Sequence, residues 1–316
     1  MAVKFATTAS PSAHSRMAKR IGITLGDCAG IGPEIVDAAL KSDNLSPVAE
    51  YPIIGKYPSC SLGQPTPETA RAAAAALEEA VTLAQRGELD AIVTGPMHKA
   101  RMYEIGFKFP GQTEFLAARS GIDNYAMCLT GGKITVALVT THIPLQQVPA
   151  ALKQSEIVRI GLLLVDFLKR RKIESPRIAV AGLNPHAGES GTIGREEVEI
   201  IEPAIAQLSS QLSTNASPAR TNSQPASISG PHPPDTVFNR AVDGEFDAVV
   251  CMYHDQGLIP LKLHAFHAGV NVTLGLPFPR TSPDHGTAFE IAGKNIARPD
   301  SMIAAINLAF ELANGG

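Results

Sequence analysis

The chain has no surplus of charge of either sign. Its 27 Lys and Arg stand against 30 Asp and Glu, a formal net charge of −3 over 316 residues. The basic residues are scattered, so the electrostatic footprint of a nucleic-acid-binding surface is missing. No apolar run approaches the ~18 residues that a membrane-spanning helix needs. The first stretch, MAVKFATTASPSAHSRMAKR, lacks the apolar core of a signal peptide. Small and polar, it predicts a disordered leader over residues 1–19, with a transit peptide as the alternative. The cysteines Cys28, Cys60, Cys128 and Cys251 form no CxxC pair and no zinc-ribbon spacing. Isolated thiols of this kind fit structural positions in a reducing cytoplasm.

What is present is an ordinary globular composition, 44% apolar and 18% charged, long enough for a large core and two lobes. Strand and helix patterns alternate. RIGITLG, DAIVTG, KITVALVTTH, RIAVAGLNP and DAVVCMYHD read as strands. GPEIVDAALK reads as a helix with Pro33 and Glu34 in its first turn. ETARAAAAALEEAVTLAQRGEL, SEIVRIGLLLVDFLKRR (with Ser155 as a candidate cap) and PDSMIAAINLAFELAN read as further helices. The alternation predicts an α/β fold with a largely parallel sheet. One segment breaks it: Leu208 to Pro234 is rich in Ser, Asn, Ala and Pro and reads as a mobile surface loop.

In open α/β sheets, ligands bind beyond the carboxyl ends of the strands. Three strand patterns here deliver a histidine at that position: His142, His186 and His254. A single such histidine is ordinary structure. Three at equivalent positions form a donor set for a divalent ion with open coordination sites. His98 and His285, in glycine-containing polar segments, are further candidates for ligand contact. GDCAGIGPE sets Gly26, Gly30 and Gly32 between a strand and a helix start. It reads either as an anion-binding turn or as a tight structural turn, and it is neither GxGxxG nor Walker A. Near the C-terminus Lys262, Asn271 and Arg280 offer a point charge, an amide and a guanidinium fork, a set suited to phosphate or carboxylate.

ITLGDCAGIGPEI, VTGPMHKA, GQTEFLA, TTHIPL, GLNPHAGESG, MYHDQGLIPLK and VNVTLGLPFPRTSPDHGTAFEIAGK occur in this order from about Arg20 to the C-terminus. Together they resemble the PdxA family, the 4-hydroxythreonine-4-phosphate dehydrogenases of pyridoxal phosphate biosynthesis. The resemblance implies a two-lobed fold like that of isocitrate and isopropylmalate dehydrogenases. The catalytic unit would span 20–316, with lobe one at about 20–110 plus 270–316 and lobe two at about 111–269. It implies a cytoplasmic homodimer whose active site lies between lobes and draws metal ligands from both subunits. The family's three metal-binding histidines match His142, His186 and His254. Its substrate contacts match Thr113, Lys262, Asn271 and Arg280, and an acidic residue near the site matches Asp235. HGTAFEIAGK resembles an NAD loop, which points to His285, Gly286, Thr287 and Ala288 as cofactor contacts.

The implied reaction is metal-dependent, NAD- or NADP-linked oxidation of 4-phosphooxy-L-threonine. The metal (zinc, magnesium, manganese or cobalt) lowers the pKa of the substrate alcohol. A base takes its proton, with Asp235 and Asp255 as candidates for that base or for orienting a ligand. The β-keto acid product then decarboxylates to 3-amino-2-oxopropyl phosphate. Asp255 is expected to face away from His254, by strand alternation. Two motif positions depart from the family pattern. Gln112 stands where GHTEF has a substrate-contacting His, and Cys28 stands where Pro is usual. Gln112 can donate a hydrogen bond but carries no charge, which weakens a phosphate contact or shifts the substrate. The rival activities are therefore oxidation of 4-phospho-D-threonate or 4-phospho-D-erythronate in sugar-acid catabolism. A non-catalytic ligand-binding relative is the rival from another class.

Overall fold

The structure, a computed structural model, describes residues 18–214 and 225–315. Its strands are β1 Lys19–Thr24, β2 Ala49–Glu50, β3 Ile53–Ile54, β4 Ala91–Thr94, β5 Ala126–Gly131, β6 Ile134–Leu138, β7 Arg177–Ala181, β8 Ser227–His232, β9 Ala248–Cys251, β10 Val270–Leu274 and β11 Arg280–Pro283. They form one sheet in the order β2-β1-β4-β11-β10-β5-β6-β9-β7-β8, with β3 also pairing β1. The pairs β11–β10, β10–β5 and β5–β6 are antiparallel, and the others are parallel. The expected α/β class with a largely parallel sheet is therefore present. Its centre is antiparallel.

Helices cover the sheet as their apolar spacing dictates. Gln154–Arg170 buries Ile157, Ile160, Leu164 and Leu168 in one stripe. They join Val180, Val250 and Val272 of the strands and Ile306 of the C-terminal helix Asp300–Asn314 in a single core. Pro67–Gln85 starts with a capping box. Thr66 Oγ1 accepts from the Thr69 amide at 3.3 Å, and Thr69 Oγ1 accepts from the Thr66 amide at 3.1 Å. The buried alanines Ala73, Ala76 and Ala80 give that helix a smooth face.

Four local expectations change. Ser155 is no cap: Lys153 holds the N-cap position, and no side chain caps the helix. The expected leader extends one residue too far, because β1 begins at Lys19, while residues 1–17 lie outside the described residues. Much of the supposed loop 208–234 is regular. Leu208 to Thr214 ends the helix Glu202–Thr214, β8 covers 227–232, and 215–224 lies outside the described residues. Pro231 hid that strand, yet β8 is the outermost strand, where proline leaves no ladder hydrogen bond unmade. Last, the strand expected through MYHD stops at Cys251, and His254 opens the helix His254–Ala265. Pro260 lies inside that helix, which masked its pattern.

The cysteines are free thiols, but they are not all isolated: Cys28 Sγ and Cys60 Sγ are 3.5 Å apart. Burial pushes the Cys28 and Cys128 thiols up to about 12 and raises Cys251 as well. Native protein treated with a thiol reagent at pH 8 should therefore show one fast site, the half-buried Cys60, and Cys60→Ser should abolish the fast phase. Equal labelling of all four before denaturation would contradict this packing.

Candidate active site

A cleft of about 640 Å³ opens at the antiparallel centre of the sheet. Gln112, Thr113, Lys262, Asn271 and Arg280 all line it, as do His142, His285 and Gly286. Arg280, the first residue of β11, is only 3% exposed. Its partners are all neutral. Nη1 donates to Thr273 Oγ1 at 3.1 Å and Thr113 Oγ1 at 3.4 Å. Nη2 donates to Thr94 Oγ1 at 2.7 Å and Gln112 Oε1 at 2.9 Å. Nε is buried without a partner. Burial pushes the guanidinium down to about 10, opposed by the field of Glu114, so it stays charged at neutral pH. Among the described residues no carboxylate bonds to it. A buried cation in a neutral cage at the wall of a cleft is arranged to receive an anion.

Around it stand other unfinished groups. Asn271 Oδ1 and His285 Nε2 are buried without partners. Lys262 Nζ pairs with Asp284 Oδ2 at 3.2 Å. Gln112 bridges Arg280 and the Gly95 carbonyl, to which its Nε2 donates at 2.9 Å. A neutral imidazole could make the same pair of bonds, one nitrogen accepting and the other donating. The residue thus acts on Arg280 first, and its lack of charge costs that contact nothing.

The three histidines follow β6, β7 and β9, adjacent strands running parallel. Gln256 ties two of those strand ends together. Its Oε1 accepts from the Met252 amide at 2.6 Å, and its Nε2 donates to the Gly182 carbonyl at 2.7 Å. The rings of His142 and His254 are 5.4 Å apart. Burial lowers the pKa of His142, with smaller pushes from Lys99 and His254, which favours the neutral form a metal needs. His254 Nδ1 meets Asp255 Oδ1 at 2.7 Å, and His186 Nδ1 meets Glu189 Oε1 at 2.6 Å. In both, a carboxylate fixes one ring nitrogen and leaves Nε2 for a ligand, the usual setting of metal-bound imidazole. The donor chemistry fits a divalent ion. His186, however, is exposed, and no group of three or more ligating side chains closes on one point among the described residues.

A model of the family described as pyridoxal phosphate biosynthetic protein PdxA matches residues 12–309. The chain belongs to the PdxA family. A curated PdxA relative of Desulfosudis oleivorans, named 4-hydroxythreonine-4-phosphate dehydrogenase, is 44% identical over 335 residues, covering 93% of this chain and 96% of its own. A crystal structure of the enzyme so named from Klebsiella pneumoniae superposes with a TM-score of 0.78 at 36% identity, covering 94% of this chain and 100% of that one. A β-decarboxylating dehydrogenase of Thermococcus kodakarensis, in its apo form, shares the fold alone, with a TM-score of 0.50 at 15% identity over 91% of this chain and 81% of its own.

Within this PdxA scaffold the expected substrate residues gather in one cleft, and the expected acids do not. Asp235 is exposed beyond β8 and acts only weakly on His186. Asp255 lies outside the cleft wall and bonds His254, contrary to the expectation that it faces away. The strand alternation behind that expectation does not apply at a helix start. Of the NAD-loop residues, His285 and Gly286 reach the cleft. Thr287 is buried and its carbonyl accepts from the Ile31 amide at 2.9 Å, and Ala288 is left-handed with φ 42°. The Gly-rich turn is structural, because its amides are already used: Asp27 N donates to the Pro96 carbonyl, Ala29 N to Asp27 Oδ1, and Ile31 N to Thr287. His98 caps a helix at Arg101 N. Thr94, Thr273, Asp284 and Gln256 had no sequence signal beyond lying within named motifs, and Glu197 had none beyond lying near one.

Gln112→Glu tests the cage. The carboxylate would pair with Arg280 and consume the cation. Inorganic phosphate binding, measured by calorimetry, should weaken at least about tenfold, while Gln112→His should bind within a few-fold of the parent. Unchanged binding in Gln112→Glu would show that Arg280 does not receive the anion.

Proposed function

We propose that this PdxA-family chain oxidises 4-phosphooxy-L-threonine with NAD or NADP and a divalent metal, yielding a β-keto acid that loses carbon dioxide. The observation that carries the reading is the buried, neutrally caged Arg280 in the same cleft as Lys262, Asn271 and His142. The substrate phosphate takes Arg280 and Thr113, and Lys262 and Asn271 hold the rest of the molecule. His142, His186 and His254 would hold the metal, whose chemistry when bound is Lewis-acid polarisation of the substrate hydroxyl. His285 and its neighbours would hold the nicotinamide cofactor, which supplies hydride-acceptor chemistry. Asp255 keeps the His254 ring in one orientation, and Asp235 reaches His186 only through a weak field, so both would act through the imidazoles. The relatives' names favour this substrate over the sugar-acid phosphates and over a silent binding protein.

The same reading includes two lobes, a dimer and a cytoplasmic setting. The strand order supports the lobes: β1–β4, β10 and β11 lie on one side of the β10–β5 pair, and β5–β9 lie on the other. The dimer is supported by the helix that starts at His254. Ile259, Leu263 and Phe266 expose 66%, 89% and 71% of their surface at one-turn spacing, an apolar stripe that a second copy would cover. A ligand supplied across such an interface would join His142 and His254, whose rings lie 5.4 Å apart, in holding the metal. The four free thiols support the reducing compartment, and no described helix is long and apolar enough to cross a membrane.

A steady-state panel of 4-phosphooxy-L-threonine, 4-phospho-D-threonate and 4-phospho-D-erythronate, with NAD+ and NADP+, tests the activity. The first should turn over best, chelator or His142→Ala should lower kcat about 100-fold or more, and added metal should restore only the parent. No turnover of any phosphorylated hydroxy acid with metal present would sink the dehydrogenase reading. For the dimer, Leu263→Glu should shift the sedimentation of the protein from dimer to monomer; a monomeric parent would refute it.

A further inference from the structure

Glu197 is a carboxylate with no exposed surface, and among the described residues no Lys, Arg or His pairs with it. Among the described residues, every hydrogen bond its carboxylate accepts comes from the segment that carries His186. Oε1 accepts from the amides of Leu183 and Asn184, each at 2.7 Å, and Oε2 accepts from Asn184 Nδ2 at 2.8 Å. A second carboxylate, Glu196, takes the same Asn184 amide at 2.8 Å. The segment also closes over Glu197. A Cβ on Gly188 would lie 2.6 Å from Glu197 Oε2, and one on Gly182 would lie 3.1 Å from Oε1. A carboxylate buried this way is stable only where several N–H groups aim at it.

That segment needs an outside hold. His186, Ala187, Gly188, Glu189 and Ser190 are all left-handed, with φ of 53°, 53°, 77°, 43° and 57°. Left-handed backbone is unfavourable for non-glycine residues and persists only where the surroundings over-determine it. The hold comes from Glu197–Ile201, a π-helical turn, a rare form that shifts side chains out of ordinary helical register.

We propose that Glu197 is the positioning residue for His186: its carboxylate anchors the end of β7 so that the left-handed turn presents the imidazole to the metal position. The inference rests on the reading of His186 as a ligand, and its test separates the two. Glu197→Gln keeps the shape and one oxygen to accept from both backbone amides but sets an NH2 against the Asn184 NH2; Glu197→Ala removes all three bonds. Co²⁺ affinity, measured by chelator competition, should fall about 10- to 100-fold in Glu197→Gln and further in Glu197→Ala. Inorganic phosphate affinity at Arg280 should stay within twofold in Glu197→Gln. In the metal-free protein the His186 imidazole resonance should shift, and the Leu183 and Asn184 amides should exchange faster. Unchanged resonance and exchange overturn the proposal, and so does a parallel loss of Co²⁺ and phosphate, which would mean general unfolding. His186→Ala with parent-like Co²⁺ affinity would sink the ligand reading instead, and the proposal would then stand or fall on the resonance and exchange alone.

Discussion

A guanidinium buried without a counter-charge is the constraint around which the site is built. Taking a cation out of water costs several kcal/mol even after relaxation. Arg280 offsets part of that through four neutral acceptors drawn from separate elements: Thr94 at the end of β4, Thr273 on β10, and Gln112 and Thr113 at the start of the helix Gln112–Arg119. Each acceptor is fixed by the sheet or by a helix start, so the cage is as rigid as the core beneath it. The remaining cost is carried by the core, and an anion entering the cleft would offset part of it. Binding of such an anion would then be coupled to folding at this position.

The second organising feature is the set of three parallel strand ends, β6, β9 and β7. Parallel pairing puts their carboxyl ends on the same side, so three distant histidines are delivered to one edge without any local motif. Hydrogen bonds across the edge then set the details. Gln256 links the ends of β9 and β7, and Asp255 and Glu189 each fix one ring nitrogen. Chain topology brings the residues near; short polar contacts decide how they point.

This division explains what could be read in the sequence. Apolar periodicity revealed the parallel strands and the long helices, because burial dictates both. The chemistry of Arg280, Lys262 and Asn271 was legible from residue type and motif. The orientation of Asp255 was not, because the helix start at His254 was hidden by Pro260. The partners Thr94 and Thr273 were not legible either, since a threonine in a strand is ordinary until a guanidinium is seen beside it. Gln112 read as a weakened substrate contact, and only the geometry reveals that its oxygen faces Arg280 and its nitrogen faces the Gly95 carbonyl. β8 was missed because edge strands tolerate the polar, proline-bearing composition of a loop.

The helix His254–Ala265 has one more property. Gly257 lets it press on the sheet so closely that a Cβ there would lie 3.0 Å from Leu138 and 3.1 Å from Cys251. The helix is therefore clamped, and His254 and Lys262 ride on it eight residues apart, about 12 Å along the axis. Only the lysine stem can shorten that span, because long helical side chains lean back toward the helix N-terminus. The helix works as a fixed gauge. If a substrate touches the imidazole with one end and the ammonium with the other, that spacing would set its length, and selection by size would precede selection by charge.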